Sequence, residues 1–157
     1  MRKFLILTAA TALAACGADT GTATADADAA AAETDSPLIA ADADRAAKEV
    51  PAGWTDFTGA AFTQAQADGR TILVDVHADW CPTCKAQAPI LDELTQEDAL
   101  SDAVFLKVDF DRDKDFIREL RIPRQSTVLL FDGEEELVRS VAETDRDTLR
   151  STVLDAA

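Results

Sequence analysis

The apolar run Thr71-Ile72-Leu73-Val74-Asp75-Val76-His77 leads within a few residues into Cys81-Pro82-Thr83-Cys84, and this junction restricts the fold more than any other part of the chain. An unbroken run of aliphatic and β-branched residues reads as a strand buried on both faces. Pro82 suits the first turn of a helix, where its missing N–H costs nothing. A strand that turns into a helix here sets the first sulfur at the helix's partly positive N-terminus, which favours thiolate over thiol. Only the thiolate attacks disulfides, so the placement points to redox chemistry. An inert bridge is one alternative, but so small a loop removes little chain entropy and stabilises little. Half of a zinc site is the other. A tetrahedral site needs four ligands, whereas the chain has three Cys and one His, with Cys16 in a separate segment.

Arg2 and Lys3 precede an apolar stretch over residues 4–15, about the length of a signal-peptide core and too short to span a bilayer. It ends in Leu13-Ala14-Ala15-Cys16, which resembles the lipobox of bacterial lipoproteins. That resemblance implies removal of residues 1–15 and lipid on Cys16, leaving Cys81 and Cys84 as the free thiol pair. The alternative is an ordinary secretory signal that happens to contain a cysteine. Either reading exports the mature chain, with the bacterial periplasm as its expected location. Gly17 stands where an Asp would signal retention in the inner membrane, which favours the outer membrane.

A formal net charge of −15 disfavours nucleic acid and anionic membrane surfaces as partners. After Cys16 the sequence is mostly Ala, Thr and Asp, with almost no large apolar residues up to Val50. Such a segment cannot bury enough surface to offset its ordering entropy. Residues 16–50 therefore read as a lipid-anchored tether, although the Ala-rich part over 38–48 has the propensity for a helical element packed on the domain. Residues 51–157 are about the size of one small domain.

Within that domain the pattern alternates. A helix is expected over 59–68, stopped by Gly69, and a strand over 71–77. The helix beginning at Pro82 turns Ala86, Ile90, Leu91 and Leu94 inward. A strand follows over 104–109 and a short helix over 114–120. Strands over 127–131 and 135–141 flank Asp132-Gly133, a two-residue hairpin signal. A last helix spans 145–154, with Asp145 as N-cap. The order is α-β-α-β-α-β-β-α.

That order, and the run Ile72-Leu73-Val74-Asp75-Val76-His77-Ala78-Asp79-Trp80-Cys81-Pro82-Thr83-Cys84-Lys85, is similar to the thioredoxin family, most of all to its exported, membrane-tethered bacterial members. The resemblance implies an α/β fold: a mixed sheet of parallel strands plus a C-terminal antiparallel hairpin, with helices on both faces. It implies Cys81 as exposed nucleophile and Cys84 as buried resolving thiol, with no cofactor beyond the Cys81–Cys84 disulfide. Asp75 occupies the family's buried carboxylate position, where a desolvated acid can accept the Cys84 proton. On the residues alone, an Asp between Val74 and Val76 in a two-sided strand is hard to place in water. Trp80 corresponds to the residue that shields the site and contacts substrate, and plain core packing is its simpler role. Pro82, Thr83, Ser126 and Thr127 complete the expected surroundings of the sulfurs.

The chain departs from the family in three places. The run Arg124-Gln125-Ser126-Thr127-Val128-Leu129-Leu130-Phe131 puts Ser126 where the family has a cis-proline facing the cysteines. A cis bond before a non-proline residue costs about 2.5–4 kcal/mol, so a trans Gln125–Ser126 bond or a rearranged loop is expected. The Ser126 hydroxyl can donate to Cys81, or stand by in a widened groove. Phe105 lies about where the family keeps a lysine beside the buried carboxylate, and Lys107 is expected on the other face of its strand, leaving Asp75 without a counter-charge. His77, two residues beyond Asp75, falls on the same face, as a proton relay, a tuner of the thiolate, or a half-buried packing residue.

The function these features imply is thiol–disulfide exchange on exported proteins carrying thiols or disulfides, in the reductive direction. The chain has no nucleotide fingerprint, so electrons are expected from a partner, which the family suggests is a transmembrane thiol carrier. The reverse direction, as oxidant or isomerase, is the first alternative. The second is a non-enzymatic copper- or metal-delivery protein using Cys81, Cys84 and His77, although the single Met and single His are few soft ligands for it. No resident metal is expected, and the chain is expected to be a monomer.

Overall fold

The computed structural model describes Leu38, Asp42 and residues 46–157. The signal, Cys16 and most of the 16–50 segment lie outside the described residues. In chain order the elements are β1 (Thr55–Asp56), α1 (Gly59–Ala67), β2 (Thr71–His77), α2 (Pro82–Leu94), a 3-10 turn (Asp98–Leu100), β3 (Val104–Asp109), α3 (Lys114–Glu119), β4 (Thr127–Asp132), β5 (Glu135–Val141) and α4 (Arg146–Leu154). The expected elements all appear with ends within a residue or so. The two-residue strand β1, too short to show a period, was not expected; it pairs with Leu106 and Lys107.

The strands form one sheet in the order β1-β3-β2-β4-β5. β2 lies at its centre, parallel to β3 and antiparallel to β4, while β4 and β5 form the antiparallel hairpin. Its turn is one residue later than the sequence suggests: Asp132 pairs with Glu135, and Gly133 takes φ 55°, a conformation glycine adopts without steric cost.

Alternation along the strands divides the core. Ile72, Val74, Val76, Leu106, Val108, Leu129 and Phe131 face α1 and α3, where Phe62 packs edge-on to Phe116 and Phe131. Leu73, Phe105, Val128 and Leu130 face α2 and α4, against Ile90, Leu91, Leu94, Leu149 and Val153. Helices therefore cover both faces. In α2 the expectation for Ala86 fails: it is exposed and Gln87 is fully buried. The buried stripe runs through Cys84, Gln87, Ile90, Leu91 and Leu94, a helical spacing that polarity at Gln87 conceals.

The tether reading also needs correction at its C-terminal part. Leu38 is 5% exposed within the Phe57–Phe62–Phe116 cluster. Asp42 accepts hydrogen bonds from the Gly59 and Ala60 N–H groups at 3.0 and 2.8 Å, satisfying donors that a helix start leaves unpaired. Lys48 is bound to the domain as well. The described residues of the 38–48 stretch thus follow the alternative reading, a segment packed on the domain.

Candidate functional site

β2 ends at the rim of the sheet, and the chain turns there into α2. The Cys81 N–H closes the turn on the Ala78 carbonyl at 3.0 Å. Cys81 is the N-cap of α2, with φ −84° and ψ 117°, and its Sγ accepts the Cys84 N–H at 3.3 Å. The sulfur thus holds the place a capping oxygen usually takes, at the positive end of the helix. Pro82 occupies the first turn, as expected.

Ser126 approaches from the loop before β4. Its N–H donates to the Val76 carbonyl at 2.7 Å and its carbonyl accepts from Ala142 N–H at 2.8 Å, so the loop is fastened to β2 on one side and to the end of β5 on the other. The described chain has no cis peptide, and Ser126 has φ 64°; the rearranged trans loop replaces the family's cis-proline. In this position the Ser126 Oγ lies 3.2 Å from Cys81 Sγ and 3.1 Å from Cys84 Sγ. Gln87 braces the loop from α2: its Nε2 donates to the Glu143 carbonyl at 2.7 Å and reaches the Ser126 carbonyl at 3.5 Å. Thr127, fully buried, donates its hydroxyl to the Arg124 carbonyl.

Both sulfurs are hidden. Cys81 is 1% exposed and Cys84 6%, which corrects the expectation of an exposed Cys81. As an N-cap its side chain turns back onto its own helix and against Ser126, and the residue standing at the surface is Trp80, 60% exposed. The Trp80 indole N–H donates to Asp111 at 2.6 Å.

The two thiols are pushed in opposite directions. Burial raises Cys81, but hydrogen bonds from Ser126, the Cys84 thiol, the Cys84 backbone and Gln125 outweigh it and bring it down to about 7. Burial also raises Cys84, and there it prevails over the Ser126 bond, with the neighbouring Cys81 adding to the effect. Near neutral pH Cys81 is therefore divided between thiol and thiolate, while Cys84 keeps its proton.

Asp75 lies on the α2 face of β2, 3% exposed. It is not without a counter-charge: Lys107 Nζ donates to its Oδ2 at 2.8 Å, inside the protein. The expectation for Lys107 fails on strand parity. Lys107 lies two residues beyond Phe105 and so shares its face, and the parallel register sets it directly opposite Asp75. The ammonium also sits 4.7 Å above the Trp54 ring, a cation–π contact. Asp75 Oδ1 is buried without a hydrogen-bond partner among the described residues.

His77 has its hydrogen bonds elsewhere than at the sulfurs. Its Nδ1 meets the Val108 carbonyl at 3.3 Å and its Nε2 meets Asp79 Oδ1 at 3.2 Å. Asp79 also accepts from Lys48 at 2.9 Å, and Lys48 reaches Asp109 at the same distance. No group of three His, Cys, Asp or Glu residues among those described is arranged to hold a metal ion. Gln87, Lys48 and Asp111 were not anticipated in the site. Gln87 is findable by its three-residue spacing from Cys84, whereas Lys48 and Asp111 reach the rim only through tertiary folding.

The thioredoxin family profile matches residues 54–155. Thioredoxin of Chlamydia trachomatis is 34% identical over 88 residues, covering 56% of this chain and 83% of that protein. Thioredoxin H2-1 of rice (Oryza sativa subsp. japonica) is 33% identical over 84 residues, covering 54% of this chain and 59% of the rice protein's length. Among solved structures, the protein Trxlp of Edwardsiella tarda is 42% identical and superimposes with a TM-score of 0.60, over 62% of this chain and 95% of its own. With β2, the cysteine pair, α2 and the antiparallel hairpin all inside the matched region, the chain belongs to the thioredoxin family.

Proposed function

We propose that the chain is a thiol–disulfide oxidoreductase of the bacterial periplasm, working as a reductant of disulfides in exported proteins. The observation that carries the exchange chemistry is the placing of two sulfurs at one helix N-terminus, Cys81 Sγ capping α2 and Ser126 Oγ 3.2 and 3.1 Å from the pair. This arrangement holds Cys81 down at about 7, while burial raises Cys84. The Cys81 thiolate attacks a substrate disulfide, one substrate sulfur leaves, and a mixed disulfide forms. Cys84 gives up its proton and attacks Cys81, which releases the second substrate sulfur and leaves a Cys81–Cys84 disulfide. The unpartnered Oδ1 of Asp75 supplies an acceptor for the Cys84 proton on the same face of the sheet.

An extended substrate segment fits the loop before β4 in the β-augmentation mode. There the Ser126 N–H and C=O are engaged by Val76 and Ala142, and the Arg124 carbonyl by Thr127, so pairing falls to the Gln125 peptide. Trp80 offers the adjacent apolar surface. A transmembrane thiol carrier returns electrons to the disulfide, and lipid on Cys16 holds the chain at the outer membrane; these two parts rest on the N-terminal sequence and on the absence of a nucleotide fingerprint.

The test is Cys84→Ser in cells: mixed disulfides between Cys81 and exported proteins should accumulate. A folded variant that traps nothing would overturn the reading. Titration against thiol buffers, with Trp80 fluorescence as reporter, decides direction. A potential near about −270 mV is expected, and one near about −120 mV would make the protein an oxidant.

A further inference from the structure

Ser126 combines three properties that one residue seldom carries together. It is fully buried. Its backbone takes φ 64°, a left-handed conformation that is costly for any residue with a Cβ. Among the described residues its hydroxyl meets the two sulfurs, at 3.2 and 3.1 Å. A buried hydroxyl must find partners, and strain of this kind persists where the surroundings enforce it, commonly at functional sites.

We propose that the Ser126 hydroxyl is a catalytic donor shared by Cys81 and Cys84, which follows the negative charge from one sulfur to the other during exchange. The proposal rests on the oxidoreductase reading and adds a residue to it. In the dithiol state the Ser126 O–H donates to the Cys81 thiolate, and Cys84 keeps its proton. Once Cys81 is joined to substrate its sulfur is neutral and no longer needs the bond. Cys84 then loses its proton to a base, and the hydroxyl rotates about Cβ–Oγ to donate to the new thiolate. The Cys84 electron pair forms the Sγ–Sγ bond with Cys81, the bond from Cys81 to the substrate sulfur breaks, and the substrate leaves as a thiolate that takes up a proton from water. One bond forms and one breaks, and the hydroxyl ends with the proton it began with. The two distances differ by about a tenth of an ångström, so the handover needs only rotation of the O–H.

The charged groups on the surrounding elements are otherwise paired or exposed, and Asp75 keeps only its Oδ1 open, as the acceptor for the Cys84 proton. Asp75 on β2 is paired with Lys107 on β3. His77, Asp79, Asp109 and Lys48 are joined in one rim network, and Lys85 on α2 is exposed. The hydroxyl is therefore the polar side-chain group the two sulfurs share.

The test uses the full chain with Ser126→Gly and Ser126→Ala. Alanine keeps the Cβ and with it the backbone cost serine already bears, whereas glycine relieves that cost; both remove the hydroxyl. Two readouts apply: the pH profile of Cys81 alkylation, and the single-turnover release of thionitrobenzoate from a preformed adduct on Cys81, which Cys84 must displace. In both variants the alkylation midpoint should move up toward the ordinary thiol range. Release at neutral pH should slow by about tenfold, the equivalent of losing one charge-assisted hydrogen bond. A Ser126→Ala protein with unchanged midpoint and release rate would overturn the proposal, and an effect confined to Ser126→Gly would do so by assigning it to the backbone. If the parent chain itself never releases thionitrobenzoate, the oxidoreductase reading falls and the proposal with it. An effect on the midpoint alone would leave Ser126 a donor to Cys81 only and would also overturn the handover.

Discussion

Lys107 Nζ lies 2.8 Å from Asp75 Oδ2, across a register that sets the two residues side by side on neighbouring parallel strands, with both side chains under a tenth exposed. The desolvation of two charges is offset there only by their mutual attraction and by the Trp54 ring beneath the ammonium. Removing one partner strands the other. Lys107→Met should therefore destabilise the protein by about 3–5 kcal/mol, and Lys107→Met combined with Asp75→Asn should recover most of it. Urea unfolding of the two single variants and the double gives the coupling; additive losses would mean that the pair does not act as a unit.

A similar dependence joins Gly59 to Leu38. A Cβ built on Gly59 falls 2.2 Å from the Leu38 carbonyl oxygen, a separation no side chain tolerates. At the first position of a helix, Gly→Ala is ordinarily a mild gain in stability. Here it should be a loss, because Leu38 must leave the core, and burying a leucine contributes about 2–5 kcal/mol. The loss should vanish in a chain that begins at residue 46. Thermal unfolding of the four proteins checks this, and a stabilised Gly59→Ala in the full chain would show that the segment does not dock in solution.

These two relationships also mark what could be read from the sequence. The succession of elements along the chain, the cysteine turn and the hairpin were legible because each depends on local signals: aliphatic runs, Pro82 at a helix start, Gly133 in a turn. Lys107 was legible too, and was misread through strand parity alone. Gln87 sat at a helical spacing that its polarity disguised. Leu38, Asp42 and Lys48 had only the helix propensity of the Ala-rich 38–48 stretch to mark them, since each gains its role from a partner distant in the chain, as Lys48 does from Asp109. The trans loop at Ser126 followed from the missing proline, but the equal reach of its hydroxyl to both sulfurs followed only from the way Val76 and Ala142 fasten the loop.

Lys48 bridges two carboxylates of unequal exposure: Asp79 is 73% exposed and Asp109 16%. Water screens the first pair and spares more of the second. Lys48→Met should cost about 1 kcal/mol or less. A double-mutant cycle with Asp109→Asn should show the larger coupling, and one with Asp79→Asn close to none. The measured coupling should shrink in high salt. Equal coupling to both carboxylates would contradict this division.

The opposed acidities of the thiols predict a stability profile peculiar to the reduced protein. Cys81 in the folded dithiol gives up its proton at about 7, whereas an unfolded thiol holds its proton to about 8.5. Between those values the unfolded chain binds more protons than the native one, so the free energy of unfolding rises with pH. This contribution is fully present above the unfolded value and is lost as pH falls through about 7. At higher pH the sign reverses, because the buried Cys84, pushed up, keeps its proton after an unfolded thiol has lost it. Relative to the disulfide form, which has neither group to titrate, the dithiol form should gain stability from neutral pH to the ordinary thiol range and lose it beyond. Parallel urea unfolding of the reduced and oxidised proteins over that range isolates the effect, since all other groups cancel to first order. A difference that stays flat across neutral pH would mean that Cys81 is not held as a thiolate in the folded chain, and the attack assigned to it would then lack its nucleophile.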